Sequence, residues 1–207
     1  MIQPTIRVSY FDKENADRPF HPSGEVLSVA VGQTTGASSE SVPYKTVRSD
    51  GRFELRDYPA LTVIKTPMPG GSPSGDGSFM RLFRFISGEN QAHEKIAMTT
   101  PVMMSGSESN ATMMFVLPAK LTAENVPKPA DSLVRVQTLP AGRFAVLRFS
   151  GERDPRTEAA VLKELKTWMA TEGLPVSSPP VYGYFDPPWT LGALRRNEVM
   201  LRIQAGQ

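Results

Sequence analysis

The chain contains no cysteine among its 207 residues. This absence excludes disulfides, thiolate metal sites, a cysteine nucleophile and covalent attachment of a prosthetic group through a C-x-x-C-H motif. Histidine occurs only twice, as His21 and His93, so imidazole ligands are scarce. The sequence also has no G-x-S-x-G elbow, no P-loop and no H-E-x-x-H motif. Common signatures of hydrolytic and nucleotide-binding sites are therefore missing.

A strong charge excess and long apolar runs are also absent. The 23 Lys and Arg nearly balance the 21 Asp and Glu, and a net charge of +2 predicts no nucleic-acid partner. No apolar run approaches the ~20 residues that a membrane span requires, and the N-terminal residues lack the pattern of a signal peptide. We therefore expect a soluble, cytoplasmic protein without a membrane span. A periplasmic protein whose leader was removed is the remaining alternative.

Hydrophobic residues make up 40% of the chain, which is enough for one substantial core. Residues 1–43 carry scattered turn formers and a Gly/Ser-rich run. They predict a partly irregular N-terminal extension with a strand at residues 5–10. Regular apolar patterns begin near Tyr44, so we expect the main domain to span residues 44–207.

The first half of this domain alternates between strand and helix patterns. Strands are predicted at residues 52–56, 61–66, 95–104 and 111–117. Between the second and third of these strands, Phe79, Leu82, Phe83 and Ile86 recur at helical spacing until Gly88. This spacing predicts a short amphipathic helix.

The second half repeats the same order of elements. Strands are predicted at residues 134–138, 143–149, 181–185 and 197–203. Asp154 is a suitable N-cap, with Pro155 at the first helical position. The helix that follows has one apolar stripe, formed by Val161, Leu162, Leu165, Trp168 and Met169. The recurrence predicts a pseudo-twofold repeat, with a ligand cleft at the junction of the two halves.

Three segments carry a family resemblance: FELRDYPA at residues 53–60, KIAMTTPV at 95–102 and FDPPWTLGALRRNEV at 185–199. Together and in this order, they resemble the SOUL haem-binding protein family. The resemblance implies an α+β fold, namely a distorted antiparallel β-barrel of two pseudo-symmetric βαββ-type repeats with two flanking helices. It also implies non-covalent binding of haem or another tetrapyrrole in an apolar cleft, for haem buffering, transport or delivery.

On this resemblance, we expect ten residues to form the haem site. They are Phe79, Leu82, Phe83, Arg84, Ile86, His93, Met98, Tyr182, Trp189 and Leu191. His93 is the candidate axial ligand to iron, since imidazole is a common haem ligand. Tyr182, Tyr184 and several methionines are chemically capable substitutes, and spacing singles out none of them. For most of the helix residues, ordinary core packing is the preferred interpretation, and for His93 an exposed loop position is preferred over iron ligation.

The segment FDPPWTLGALRRNEV has a structure of its own. Pro187-Pro188 removes two backbone donors, so the segment cannot pair as an interior strand and is expected to project as a stiff flap. Trp189 and Leu191 on this flap either close over a ligand or pack onto the domain. Arg196 and Glu198 lie on one side of the backbone at the start of the last predicted strand, and Arg195 and Asn197 lie on the other. Residues 195–198 are expected to anchor the flap, and direct contact with a ligand is the alternative.

Two other functions stay open from the sequence. The first is an enzyme or a sensor that acts on another lipophilic molecule, with Glu198 as its acid or base, because a desolvated carboxylate can have a raised pKa. The orientation of Glu198 decides this alternative, although a non-enzymatic protein is the preferred interpretation. The second is an interaction module whose flap docks a protein partner of unknown identity.

Overall fold

The computed structural model describes residues 40–69, 76–106, 110–187 and 189–204. Its strands are β1 (Glu40–Ser41), β2 (Lys45–Asp50), β3 (Phe53–Tyr58), β4 (Leu61–Pro67), β5 (Thr99–Thr100), β6 (Val102–Ser105), β7 (Thr112–Val116), β8 (Arg135–Leu139), β9 (Gly142–Phe149), β10 (Val181–Tyr184) and β11 (Asn197–Arg202). Its helices are α1 (Ser78–Ile86) and α2 (Pro155–Thr171), and a 3-10 turn lies at Gly192–Leu194. The predicted strand at residues 5–10 lies outside the described residues.

Nine strands form one curled antiparallel sheet in the order β2-β3-β9-β11-β10-β6-β7-β4-β8. The short strands β1 and β5 pair separately and in parallel. Strands β2 and β8 are the two edges of the large sheet, and no pairing joins them among the described residues. The fold is therefore α+β, as predicted, with a sheet that curls as half of a barrel.

Both helices lie on the same face of the sheet. Helix α1 packs against β4 and β7, and α2 packs against β9 and β11. Strand register places Val199, Tyr182, Met104 and Met113 directly opposite one another in a single row across β11, β10, β6 and β7. Directly opposite residues point to the same face. The row begins beneath α2 and ends beneath α1, so a single face carries both helices.

The two helices are anchored as their sequences predict. The Asp154 side chain accepts a hydrogen bond from the Thr157 N–H at 2.8 Å, which caps α2. Val161, Leu165 and Met169 are buried against the sheet. In α1, however, Phe85 joins Leu82 and Ile86 in the core, whereas Phe83 is 40% exposed. The apolar stripe of α1 is thus rotated relative to the prediction, since its sheet-facing positions include residue 85.

One strand prediction was wrong. Residues 95–104 do not form a continuous strand, because the backbone is irregular until β5 and Pro101 separates β5 from β6. Proline has no N–H to donate to a sheet ladder, so it interrupts pairing at this position. Strand β2 was not predicted at all. All six of its residues are exposed, and they show no apolar alternation.

The sheet order interleaves the two halves of the chain. Strand β3 of the first half pairs with β9 of the second, and β8 of the second half pairs with β4 of the first. The two halves also meet at the centre of the sheet, where β6 pairs with β10. A pseudo-twofold repeat stays a prediction. No helix in the described part of the chain is long and apolar enough to cross a membrane.

Candidate functional site

We call the region over the central strands β10 and β6, between the strand pairs on which the two helices pack, the groove. The axes of α1 and α2 lie about four strand spacings apart, because β10 and β6 separate the strand pairs on which the helices pack. At roughly 4.8 Å per strand, this separation corresponds to roughly 19 Å. A helix with its side chains is roughly 10 Å wide, so the backbones of the two helices do not fill this separation.

Aromatic and apolar side chains form the floor of this groove. Tyr184 lies directly opposite Val102, and Tyr182 lies directly opposite Met104. Val102, Tyr182 and Tyr184 are only partly buried, although they lie at the centre of the sheet. Central strands of a packed sheet are normally covered by another layer. These side chains pack against the cores beneath α1 and α2 without being fully buried.

One flank of α1 forms a wall of the groove. Arg81 lies on the opposite flank, since its guanidinium binds Thr66 Oγ1 and the Pro67 carbonyl at the end of β4. Phe79 and Phe83 therefore point toward the centre of the sheet. The Phe79 ring contacts Phe115 of β7 edge-on at 5.3 Å and stacks on Phe83 at 6.0 Å. The half-exposed ring of Phe83 extends this wall beyond the core.

The opposite wall is the first turn of α2, and it carries the charge of the groove. The hydroxyl of Tyr184 donates to the carboxylate of Glu158, and the hydroxyl of Tyr182 donates to the backbone carbonyl of the same residue at 3.1 Å. Arg153 also pairs with the Glu158 carboxylate at 3.1 Å. Two tyrosines and an arginine thus hold one glutamate at the edge of the groove.

The two tyrosines are held in the protonated form. Burial raises the pKa of Tyr182 to about 12, and the negative charge of Glu158 adds to this shift. Burial also raises the pKa of Tyr184, and its hydrogen bond to the Glu158 carboxylate raises it further. Both phenols therefore carry their protons at neutral pH.

The flap, residues 185–196, begins where the floor of the groove ends. Its backbone closes on itself through a bond from the Phe185 N–H to the Arg196 carbonyl at 3.2 Å. The Gly192 carbonyl accepts from the Gly151 N–H at 3.0 Å, which ties the flap to the residues before α2. Trp189, Leu191 and Leu194 are 84%, 70% and 73% exposed. The described part of the flap is therefore tied to its neighbours, but these three side chains are exposed to solvent.

His93 lies in the loop that follows the C-terminal end of α1. The buried side chain of Asn90 organises this loop, donating to the Phe85 and Glu94 carbonyls at 3.0 and 2.7 Å. The His93 backbone has a φ of 54°, in the left-handed region, and its side chain is exposed. The imidazole is thus presented to solvent by a rigid loop, at the end of α1 away from Phe79.

The predicted site residues fall into separate places. Phe79 and Phe83 line the groove wall, Tyr182 lies on its floor and Arg84 is exposed on the outer side of α1. Leu82 and Ile86 are buried in the core beneath α1, and Met98 packs partly buried against that core. Trp189 and Leu191 are on the flap, and His93 is beyond the end of α1. One groove brings together only some of these ten residues.

The opposite face of the sheet carries a buried network of charges. Arg56 is fully buried and forms two bonds with Glu198, at 2.7 and 3.0 Å. It also binds Glu54 at 2.6 Å, and Arg196 binds Glu198 at 2.7 Å. Arg148 pairs with the second oxygen of Glu54. Three arginines and two glutamates therefore form one continuous chain of ion pairs.

Glu198 is consequently not available as an acid or a base in the groove. Burial acts to raise its pKa, but the hydrogen bonds and charges of Arg56 and Arg196 outweigh burial, so the pKa of Glu198 is lowered. Its carboxylate lies 1% exposed on the face that carries no helix. The alternative of an enzyme or a sensor used Glu198 as its acid or base, so that alternative is left without its candidate residue.

A second concave feature is a cavity of about 340 Å³ bounded by β1, the start of β4 and residues 116–124. Val42, Leu61, Val116 and Leu121 give it apolar walls, and Glu40 and Glu124 contribute carboxylates. No lysine, arginine or histidine is among its described lining residues. This cavity therefore disfavours an anionic ligand.

Sequence reasoning missed Arg56, Glu54, Glu158 and Arg153. Alternation in β3 assigns Phe53 and Leu55 to the buried face, which implied that Glu54 and Arg56 face solvent. Glu158 and Arg153 flank a helix start, where charged residues are common. A useful signal was present only for β3, because FELRDY places a glutamate and an arginine two residues apart on one face.

Solved structures with a similar fold define the structural class. The EcmrR C-terminal domain aligns with this chain at a TM-score of 0.54 and 16% identity. The alignment covers 78% of this chain and 98% of that domain. An uncharacterized conserved protein and a hydrolase, both from Listeria innocua, align with TM-scores of 0.55 and 0.52, at 14% and 13% identity. Each of these two alignments covers 74% of this chain and 92% of the other. At such identities the likeness shows the fold alone.

Sequence comparison assigns the chain to a family. Residues 39–202 match the model of the SOUL heme-binding protein family, and the chain belongs to this family. Heme-binding protein 1 of Xenopus tropicalis is 25% identical over 124 residues, which cover 54% of this chain. The match spans 64% of that relative, less than two thirds of its length.

Proposed function

We propose that the protein binds haem or a related porphyrin non-covalently in the groove between α1 and α2. The observation that carries this proposal is the partly exposed aromatic floor over β10 and β6, since a sheet centre left uncovered by its own helices presents apolar surface to a ligand. Membership of the SOUL heme-binding protein family supports the same ligand class.

The residues present suit a porphyrin. Phe79 and Phe83 offer aromatic surface on one wall, and Tyr182 and Tyr184 offer it on the floor. Arg153 beside the groove supplies a cation for a propionate group, which binds guanidinium through charge-assisted hydrogen bonds. The cavity bounded by β1, the start of β4 and residues 116–124 is the poorer place, because its described lining combines two carboxylates with no basic side chain.

Reversible carriage of haem is the finer role that we propose. Because Val102, Tyr182 and Tyr184 are only partly buried, a ligand held on them would stay accessible for exchange with a partner. Trp189 and Leu191 on the exposed flap would then contact the edge of the bound ring. This role covers buffering, transport and delivery of haem.

Titration with hemin tests the proposal. Purified protein at fixed concentration is titrated with ferric hemin, and the Soret band is followed against a protein-free blank. The expected result is a saturable change that ends at one equivalent. Metal-free protoporphyrin IX, followed by quenching of its fluorescence, is expected to compete for the same site. A linear, non-saturating response with both porphyrins would overturn the proposed function.

A further inference from the structure

The cavity bounded by β1, the start of β4 and residues 116–124 is not used by the proposed function. Its volume of about 340 Å³ lies within the range of roughly 300–1,000 Å³ that is usual for small-molecule sites. Its described lining residues include neither the tyrosines of the groove floor nor the phenylalanines of α1. A molecule bound in this cavity would therefore leave the groove free.

The buried part of the cavity lining is apolar. Val42 and Val116 are 6% and 3% exposed, and both line the cavity. Leu61 and Leu121 line it as well and are partly buried. A ligand that covers apolar surface of this kind gains free energy, because the surface is removed from water. The buried lining therefore favours the apolar part of a ligand.

The exposed part of the lining carries negative charge. Glu40 and Glu124 are exposed lining residues, and no basic side chain accompanies them in the described lining. Lys120, in the same segment as Glu124, is not a lining residue. A hydrogen bond with Thr122 lowers the pKa of Glu124, so its carboxylate is ionised at neutral pH. The exposed lining therefore favours a positively charged group.

Hydrogen bonds order the segments that carry the two carboxylates. The Ala119 N–H donates to Glu40 Oε1 at 3.4 Å, and β1 is paired with β5. The Asn125 side chain accepts from the Thr122 N–H at 2.7 Å and donates to the Lys120 carbonyl at 3.1 Å. A carboxylate has about four acceptor positions, so these contacts leave room for a ligand. An ordered lining lowers the entropic cost of binding.

We propose that this cavity binds a small amphiphilic organic cation, such as an amine with an apolar body, and that Glu40 and Glu124 hold its charged head. The apolar body lies against Val42, Leu61 and Val116, and the head stays near solvent. This arrangement avoids the cost of burying an unpaired charge. The inference is independent of the proposed function, because it concerns a different place and a ligand of opposite charge.

Three ligands with the same apolar body and different heads test the role of charge. At neutral pH, 4-phenylbutylamine is a cation, 4-phenylbutanol is neutral and 4-phenylbutyrate is an anion. Each is titrated into the full chain, and two-dimensional NMR spectra of the backbone amides report both the dissociation constant and the place of binding. The amine is expected to saturate, with shifts centred on residues 40–42 and 116–124. It is expected to bind about fivefold more tightly than the alcohol, and the butyrate least tightly.

A double variant of the full chain tests the two carboxylates. Glu40→Gln combined with Glu124→Gln is expected to weaken binding of the amine about fivefold and to leave binding of the alcohol unchanged. Both positions are exposed, so the fold is expected to stay intact, and far-UV circular dichroism checks this. Glu94→Gln is the matched control, because it removes the same charge from an exposed position outside the cavity lining.

An amine that does not saturate, or that binds no more tightly than the alcohol, would overturn the proposal. Equal losses in the double variant and in Glu94→Gln would also overturn it, as would shifts centred on the groove. Hemin titration of the double variant is expected to match that of the unaltered protein. A protein that binds the amine as described but not hemin would reject the proposed function and support this inference.

Discussion

The two faces of the sheet differ in how their polar side chains are paired. On the face without helices, Arg56 and Glu198 satisfy each other, and Glu54 and Arg196 complete their hydrogen bonds. On the helix-bearing face, Tyr182 and Tyr184 are partly exposed and share a single residue, Glu158. A closed network has little capacity left for a ligand. The helix-bearing face, where Tyr182 and Tyr184 are partly exposed, is therefore the face on which we propose that the ligand binds.

The largest effect is expected from breaking the closed network. Glu198→Gln leaves the Arg56 guanidinium buried without a full counter-charge, which is expected to lower the free energy of unfolding by roughly 3–5 kcal/mol. Urea denaturation followed by circular dichroism measures this loss.

The control for this experiment removes both charges. Arg56→Met combined with Glu198→Leu is expected to recover most of the lost stability, because apolar replacement of a buried ion pair is often nearly neutral. Glu54 keeps Arg148 as its partner in this double variant. A double variant that is no more stable than Glu198→Gln would show that the network contributes more than charge compensation.

Acidification probes the same network through a smaller effect. The pKa of Glu198 is lower in the folded state than in the unfolded chain, so its stabilising contribution is complete at neutral pH. The contribution is lost as the pH falls below the unfolded value of about 4.3 and through the folded pKa, by at most about 1.4 kcal/mol per pH unit.

Urea denaturation at several pH values between neutral and acid measures this dependence. The double variant Arg56→Met with Glu198→Leu is expected to lose less stability than the unaltered protein on acidification. Asp57, Asp154 and Glu172 also have lowered pKa values, but they are common to both proteins and cancel in the difference. Identical acid profiles would mean that Glu198 does not contribute as described.

A substitution that is expected to alter the free energy of unfolding very little tests the helix-bearing face. Phe83→Ser removes a ring that is 40% exposed, so we expect weaker hemin binding by about tenfold, or about 1.4 kcal/mol. Val47→Ser is the matched control, because Val47 is 42% exposed on the edge strand β2. Isothermal titration with hemin measures both. Equal losses in the two variants would place the ligand elsewhere.

Much of the fold follows from local patterns. The N-cap Asp154, the apolar stripe of α2 and the turn at Pro59-Ala60 are short-range features, and the structure contains them as predicted. The edge strand β2 was not predicted, because an exposed strand needs no alternation of apolar and polar residues. The break at Pro101 was a local signal, but the apolar residues around it suggested a continuous strand.

The candidate site could be predicted only in part. Phe79 and Phe83 were expected at a binding wall, and the structure places them on the flank of α1 that faces the groove. Glu158 was not predicted, because its importance arises from Tyr182 and Tyr184, which are 24 and 26 residues away in the chain. Contacts over such separations depend on which strands become neighbours.

The sequence by itself determined the composition of the elements, the caps and the family segments at residues 53–60, 95–102 and 185–199, since these depend on neighbouring residues alone. Tertiary structure decided which face each polar residue occupies. Arg56 and Glu198 lie 142 positions apart and meet only because β9 lies between β3 and β11. The same strand order leaves β10 and β6 uncovered between two helices. The proposed binding region therefore depends on sheet order, which no local pattern encodes.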